Sequence, residues 1–303
     1  MTTPQLSIGI PNFGTWAGSD WRAMIDVARV AEHAGADRVV VVDHLVMGPS
    51  TGAYRWGRFP TPPESPWLEP LTVLTAMAAV TSTVRLATGI LIAPLRPPAL
   101  LAKTAATLDQ ISGGRLDLGV GFGWQREEYA AVGRSWDERG ALLSDALAVC
   151  RALWTDTPAS VRATTIEFDD IYCEPKPADP GGIPILVAGT LSERNIERIV
   201  RWGNGWIPIM GASGGDVAGG IEQLRDAFTA AGRNRDDLIV HTALPLARGD
   251  GGVDLEASFA SAATLATEGV TSFNVPLQAF APTIADAPKA IAEIVDRHRR
   301  AFA

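Results

Sequence analysis

Cysteine and histidine are scarce in this chain, with two of the first and four of the second. Cys150 and Cys173 stand far apart in sequence, in no CxxC pair and beside no histidine cluster, so neither a disulfide framework nor a zinc site is implied. Long apolar runs are also missing: no stretch reaches the roughly 18 uninterrupted apolar residues of a membrane span. The amino terminus MTTPQLSIGIP carries neither a basic n-region nor an apolar h-region. A cytoplasmic location is therefore expected. Positive charge is in deficit, 26 Lys and Arg against 34 Asp and Glu, a net charge of -8. With no local basic patch to offset it, neither nucleic acid nor an anionic membrane is an expected partner.

What is present is a large apolar fraction, 47% of 303 residues, enough to bury a sizeable core. Short apolar, β-branched runs recur at 6–10, 38–43, 84–92, 115–121, 183–189, 205–210, 238–244 and 271–277. Helical periodicity fills the gaps. Trp21, Met24, Ile25, Ala28 and Ala31 follow a 3.6-residue period behind a cap at Ser19 or Asp20. Residues 136–154 repeat the period behind SWDE at 135–138, the spacing of a capping box. Eight near-continuous apolar strands alternating with helices predict a parallel sheet buried on both faces. The first βα turn, IPNFGTWAGSD, lacks the GxGxxG of a doubly wound dinucleotide fold. A (β/α)8 TIM barrel, one domain over residues 1–303, is the expected architecture.

Two connections exceed ordinary α/β loops. Residues 47–69 follow the second strand and set Tyr54, Trp56, Phe59 and Trp67 among five prolines; residues 155–182 precede the fifth strand and leave room for a short extended excursion. The aromatic insertion either packs on the barrel rim or forms a substrate lid at the C-terminal face, where barrel active sites lie.

The stretch LDQISGGRLDLGVGFGWQREEYAAVG, 108–133, holds six glycines. Gly113 and Gly114 fall where a helix ends. Gly119, Gly121 and Gly123 lie at the end of the fourth strand, where missing side chains admit either a ligand or a closely packed neighbour. The second strand ends in VVDHL, placing Asp43 and His44 on the rim, and Asp43 is positioned to orient the imidazole. TLSE at 190–193 reads as a capping box opening a helix after Gly189. The other histidines carry little: His33 sits at a helix end, His241 within a strand, and His298 among arginines on a solvated helix. None joins a metal-ligand cluster.

The segments VVVDHL, TGILIAPLRPPALLAKTAATLDQISGGRLDLGVGFGWQREEYAAVG and PILVAGTLSERNIERIVRWGNGWIP resemble the luciferase-like monooxygenase superfamily of flavin and deazaflavin enzymes. The resemblance covers essentially the whole chain and is nearest to small actinobacterial-type members that use coenzyme F420. It implies a ring cofactor held against the end of strand three, where a non-prolyl cis peptide at Gly89–Ile90 matches the family's bulge. By the same resemblance, Thr88, Gly89 and Ile90 back the ring, and the chain toward the phosphate passes Gly121, Gly123 and Trp124. Gly189 and Thr190 take the phosphate.

The resemblance then implies hydride transfer between F420 and a small, fairly apolar organic substrate. His44, helped by Asp43, is the general acid or base, and Trp56 or Trp67 touches the substrate. Arg96, Arg126 and Arg194 are candidate partners for the polyglutamyl tail, and a homodimer is expected. The alternatives are an FMN-dependent monooxygenase and a flavin- or deazaflavin-binding protein without turnover. Phe122 stands directly after the GxG of strand four, where deazaflavin enzymes acting on a sugar phosphate have a glutamate, which argues against such a substrate.

Overall fold

A computed structural model describes residues 3–249 and 252–303. The chain starts with β1 (Gln5–Gly9), α1 (Trp21–Ala34), β2 (Arg38–Val41) and α2 (Pro70–Ala78). Then come β3 (Arg85–Ile92), α3 (Pro98–Ser112), β4 (Leu116–Gly121), α4 (Arg126–Ala131) and α5 (Arg139–Thr155). A hairpin of β5 (Ala159–Arg162) and β6 (Glu167–Ile171) leads to β7 (Ile185–Ala188), α6 (Glu193–Trp202), β8 (Gly205–Ile207), α7 (Gly214–Ala230) and β9 (Ile239–Ala243). A second hairpin, β10 (Ala247–Gly249) and β11 (Gly252–Asp254), precedes α8 (Leu255–Thr267), β12 (Ser272–Pro276) and α9 (Ala287–Ala301).

Strands β1, β2, β3, β4, β7, β8, β9 and β12 close a parallel barrel, each pairing with the next and β12 returning to β1. This is the expected (β/α)8 barrel, and its eight strands are the eight apolar runs. The extended excursion in 155–182 is the antiparallel β5–β6 hairpin. Every residue of β2 and β4 is buried, so apart from Arg38 and Asp117, which pair with each other, both strands are apolar on both faces rather than alternating. No helix among the described residues is long and apolar enough to cross a membrane.

Caps show where local patterns hold and where packing overrides them. Asp20 caps α1 as expected, accepting from Ala23 N at 2.9 Å, and Gly113 stops α3 with a left-handed φ of 72°. The SWDE box does not form. α5 starts at Arg139 without a side-chain cap, because Trp136 is drawn into tertiary contacts, edge-on to Tyr129 at 5.2 Å and beneath the Arg139 guanidinium at 4.4 Å. Nor is Thr190 a cap: Ser192 accepts from Asn195 N, and α6 begins only at Glu193. Buried Trp154 fixes α5 on α3, its Nε1–H donating to the Ala102 carbonyl at 3.0 Å. Truncating such a ring typically costs about 3–5 kcal/mol.

Inside the barrel, the N-terminal end is plugged by polar groups. Arg38 donates to Asp117 at 2.7 Å and to Ser272 Oγ at 2.9 Å, while Arg85 meets the other Asp117 oxygen at 2.6 Å. Burial raises the Asp117 carboxyl, but the two guanidiniums win and hold it below its usual range. His241 bonds Ser272 Oγ through Nδ1 at 2.9 Å; burial, then Arg38, push it down to about 3, so it stays neutral. It is a core residue, as expected. His298 is not solvated as its arginine neighbours suggested. It is buried, with Nε2 bonded to the Pro4 carbonyl at 2.8 Å and its ring against Phe259 and Phe302. With that end closed, the C-terminal mouth is left for function.

Candidate active site

The wall of the mouth is an irregular strand. β3 and β4 pair in register up to Thr88, lose register, and resume at Leu91, and the Gly89–Ile90 peptide within this bulge is cis. Two glycines allow it. A Cβ on Gly89 would stand 2.6 Å from Val40 Cγ1, and one on Gly119 would strike the Thr88 carbonyl oxygen. Thr88 Oγ1 donates to the Gly119 carbonyl at 2.7 Å, tying the bulge to β4. Gly89 and Ile90 remain half-buried at the mouth, which leaves them free to back a planar ligand. Gly121 and Gly123 serve this wall too, since Ile90 and Ile92 fill the space over them.

Asp43 and His44 leave the end of β2 in opposite directions, as successive residues of an extended chain do. The expected Asp43–His44 pair does not form. Asp43 instead accepts from Ile92 N at 2.8 Å and binds Arg96 through both oxygens, at 2.7 and 3.1 Å. Arg96 also reaches Glu69 at 2.7 Å, and Glu69 caps α2. Burial lowers the Arg96 pKa, but Asp43 and Glu69 together raise it above its ordinary value. Arg96 is thus buried in a charge cluster and is not free to meet a cofactor tail, contrary to its sequence assignment. Arg126 and Arg194 stay exposed.

His44 has another partner. Its Nδ1 lies 3.0 Å from Glu128 Oε2, and Glu128 Oε1 accepts from Leu45 N at 2.9 Å. Glu128, on α4, is 1% exposed. Each carboxylate oxygen faces one donor, so Nδ1 carries a proton, and in the neutral ring Nε2 is the acceptor. That Nε2 makes no hydrogen bond among the described residues. Sequence reasoning missed Glu128, although Gln125, Glu128, Tyr129 and Val132 fall on one helical face.

Around the imidazole stands a box of rings. Trp67 meets His44 edge-on at 4.7 Å, Phe59 at 5.5 Å and Trp124 at 5.6 Å. Tyr54 closes on Phe59 and Trp124, while Trp56 touches only Tyr54 of this group and stays away from His44. The aromatics of 47–69 therefore pack over the mouth. Of the eight exposed large apolar residues among those described, Leu45, Val46, Phe122 and Met210 lie on the rim loops after β2, β4 and β8. Exposed apolar groups concentrated on one rim mark a ligand surface.

Gly189 does not present a free amide. Its N–H donates to the Ile207 carbonyl at 3.0 Å and its own carbonyl accepts from Trp206 Nε1 at 2.7 Å. Thr190 is exposed, and its carbonyl accepts from Asn195 Nδ2 at 3.0 Å. An anion at this end would meet the α6 start at Ser192 and Glu193 rather than the Gly189 amide.

Fold and mouth define a barrel protein with an apolar, ring-shaped site around a buried histidine at the C-terminal ends of its strands. The chain belongs to the luciferase-like monooxygenase family, whose profile matches residues 6–300. An uncharacterised Mycobacterium tuberculosis protein, Rv0953c, is 38% identical over 167 residues, a match spanning 55% of this chain and 58% of that protein. Monooxygenase RslO1 from Streptomyces bottropensis superposes with a TM-score of 0.78 at 21% identity, covering 98% of this chain and 100% of RslO1. An F420-dependent secondary alcohol dehydrogenase in complex with an F420–acetone adduct gives 0.76 at 18%, with the same coverage.

Proposed function

We propose that the protein is an oxidoreductase that transfers a hydride between coenzyme F420 and a small, fairly apolar organic substrate. The observation that carries this reading is His44, buried, held through Nδ1 by Glu128, with Nε2 left at the mouth. Whether the mouth suits a tricyclic ring is tested by its own surfaces. The half-buried bulge at Gly89 and Ile90 offers a flat backbone wall, the rim is apolar, and Trp67 Nε1 is buried with no hydrogen-bond partner among the described residues. These features fit an apolar ring with polar edges. When bound, the deazaflavin supplies the hydride chemistry. The protein's part is to orient, to exclude water and to handle a proton. His44 Nε2, a base in this tautomer, takes the proton of a substrate hydroxyl and returns it in the reverse direction. Glu128 fixes the ring, and the aromatic box keeps water out.

The burial of Arg96 favours a second reading, an FMN-dependent monooxygenase, because it removes one of three arginines assigned to the polyglutamyl tail of F420. One experiment separates the two. The protein is mixed with F420 and a panel of alcohols, and separately with reduced FMN, oxygen and the same panel. F420 reduction that falls at least about 100-fold in His44→Asn is expected. Oxygenation with reduced FMN, and no F420 reduction, would replace the first reading by the second.

A further inference from the structure

The 47–69 insertion is clasped at both ends and loosely held between them. At its entry, Gly48 N donates to Gln125 Oε1 at 2.9 Å. At its exit, Leu68 N donates to the Asn12 carbonyl at 2.9 Å, Asn12 Nδ2 returns a bond to the Leu68 carbonyl at 2.8 Å, and Trp67 stacks on Phe13 at 4.3 Å. The entry clasp includes Gln125 Nε2 donating to the Ser50 carbonyl and the exit clasp Gly14 N donating to the Pro66 carbonyl at 2.9 Å; from 51 to 65 the backbone–backbone bonds among the described residues are local turns, Tyr54 N to Thr51 O and Ser65 N to Pro62 O. The middle is held by side chains, chiefly Phe59, which is 8% exposed although it sits on a proline-rich surface loop. Its ring lies 5.3 Å from Trp124, 5.2 Å from Tyr54 and 5.8 Å from Trp67, nearly parallel to the last at 26° and steeply inclined to His44 at 76°.

A substrate whose proton His44 handles has to stand against the imidazole, and the chain has filled that place with a phenyl group of its own. We propose that Phe59 holds the substrate's position, and that the substrate is a neutral aromatic carbinol, its hydroxyl on a saturated carbon next to the ring, so that the O–H proton goes to His44 Nε2 and the carbinol hydride to the cofactor, leaving a carbonyl. This rests on the reading of His44 as the proton-handling group. Ring exchanges for ring because the walls are aromatic edges and faces, which favour offset and edge-to-face partners over aliphatic ones. An anion is disfavoured, since the Glu128 carboxylate backs His44 and the Arg96 guanidinium is already shared by Asp43 and Glu69. The hydroxyl follows from His44 Nε2, which makes no hydrogen bond among the described residues. A hydroxyl donates to it, whereas an ether or a hydrocarbon does not.

The test is calorimetric titration of the full chain, without added cofactor, using 2-naphthalenemethanol, its saturated analogue decahydro-2-naphthalenemethanol, and 2-naphthoate. Wild type is expected to bind 2-naphthalenemethanol about tenfold tighter than either control. Phe59→Ala, which needs no ring displaced, is expected to bind it about tenfold tighter than wild type, and Phe59→Leu to fall between. Leu is included because it keeps the core contact if Ala impairs folding. Equal binding of the saturated alcohol, or no gain in a folded Phe59 variant, overturns the inference. As no cofactor is present, such a failure is separate from a failure to bind F420 or FMN, which would overturn the functional reading instead.

Discussion

Replacing Glu128 by Gln changes one atom of a buried side chain and has consequences on both sides of it. The carboxylate accepts from His44 Nδ1 at 3.0 Å with one oxygen and from Leu45 N at 2.9 Å with the other. A carboxamide has one acceptor and one donor group. If its oxygen stays on Leu45 N–H, the amide NH2 faces His44 Nδ1, and the imidazole must move its proton to Nε2. If its oxygen stays on His44, the NH2 opposes the Leu45 N–H, leaving a buried donor unpaired at about 1–3 kcal/mol. Moving the proton is the less costly response. The variant should therefore lose about 1 kcal/mol or less in urea unfolding, yet present Nε2–H, a donor, where wild type presents an acceptor. Nitrogen-15 spectra of the imidazoles report the tautomer directly, and with four histidines in the chain His44→Asn assigns the resonance. Wild type is expected as the Nδ1–H form and Glu128→Gln as the Nε2–H form, with turnover reduced about 100-fold or more. An Nε2–H tautomer in wild type, or no change in the variant, would refute the assignment of Glu128 as the group that sets His44.

Arg96 should behave as a structural cation: Arg96→Met leaves the buried Asp43 carboxylate with Ile92 N alone, at a cost of about 3–5 kcal/mol. Urea unfolding of the folded variant checks this, and a loss under 1 kcal/mol would mean the cluster is dispensable. His241 titrates near 6.5 when unfolded but is held at about 3 in the fold. Between those values the unfolded chain binds more protons, so stability falls as pH falls, by about 2 kcal/mol at pH 5 from this group alone. His298, also lowered by burial, acts in the same direction, whereas Glu32, Glu69 and Asp117, held below their usual range by their partners, add their own losses only at lower pH, where the unfolded carboxylates protonate. Urea midpoints at pH 7 and pH 5 should separate in wild type and draw closer in His241→Gln; equal separation would contradict the assignment.

The barrel was legible because strands buried on both faces are largely apolar, so β2 and β4 read as near-continuous runs broken only by Arg38 and Asp117. Insertion 47–69 was legible from its length and prolines. The capping errors have a common cause. A capping box is a four-residue pattern, and tertiary contacts at Trp136, and a better-placed serine at 192, override it. Adjacency misled at Asp43, because neighbours along an extended chain point apart and partners come from other elements. Glu128 was hidden in the pair Glu127–Glu128: one carboxylate faces solvent and the other the barrel mouth, and only the helical face shared with Tyr129 and Val132 separates them. The charge cluster of Asp43, Arg96 and Glu69 joins residues 26 to 53 apart, a distance over which no local pattern operates.

The reading as a whole depends on a flavin-type ring entering the mouth beside Trp124, and titration of intrinsic fluorescence tests that directly. With nine tryptophans in the chain, Trp124 and Trp67 among them at the mouth, F420 should quench saturably, and FMN more weakly. The F420 quench should shrink in Trp124→Phe while affinity changes less than tenfold. Saturable quenching by neither compound, in protein shown to be folded, would mean that this barrel keeps its family's architecture without its ring site.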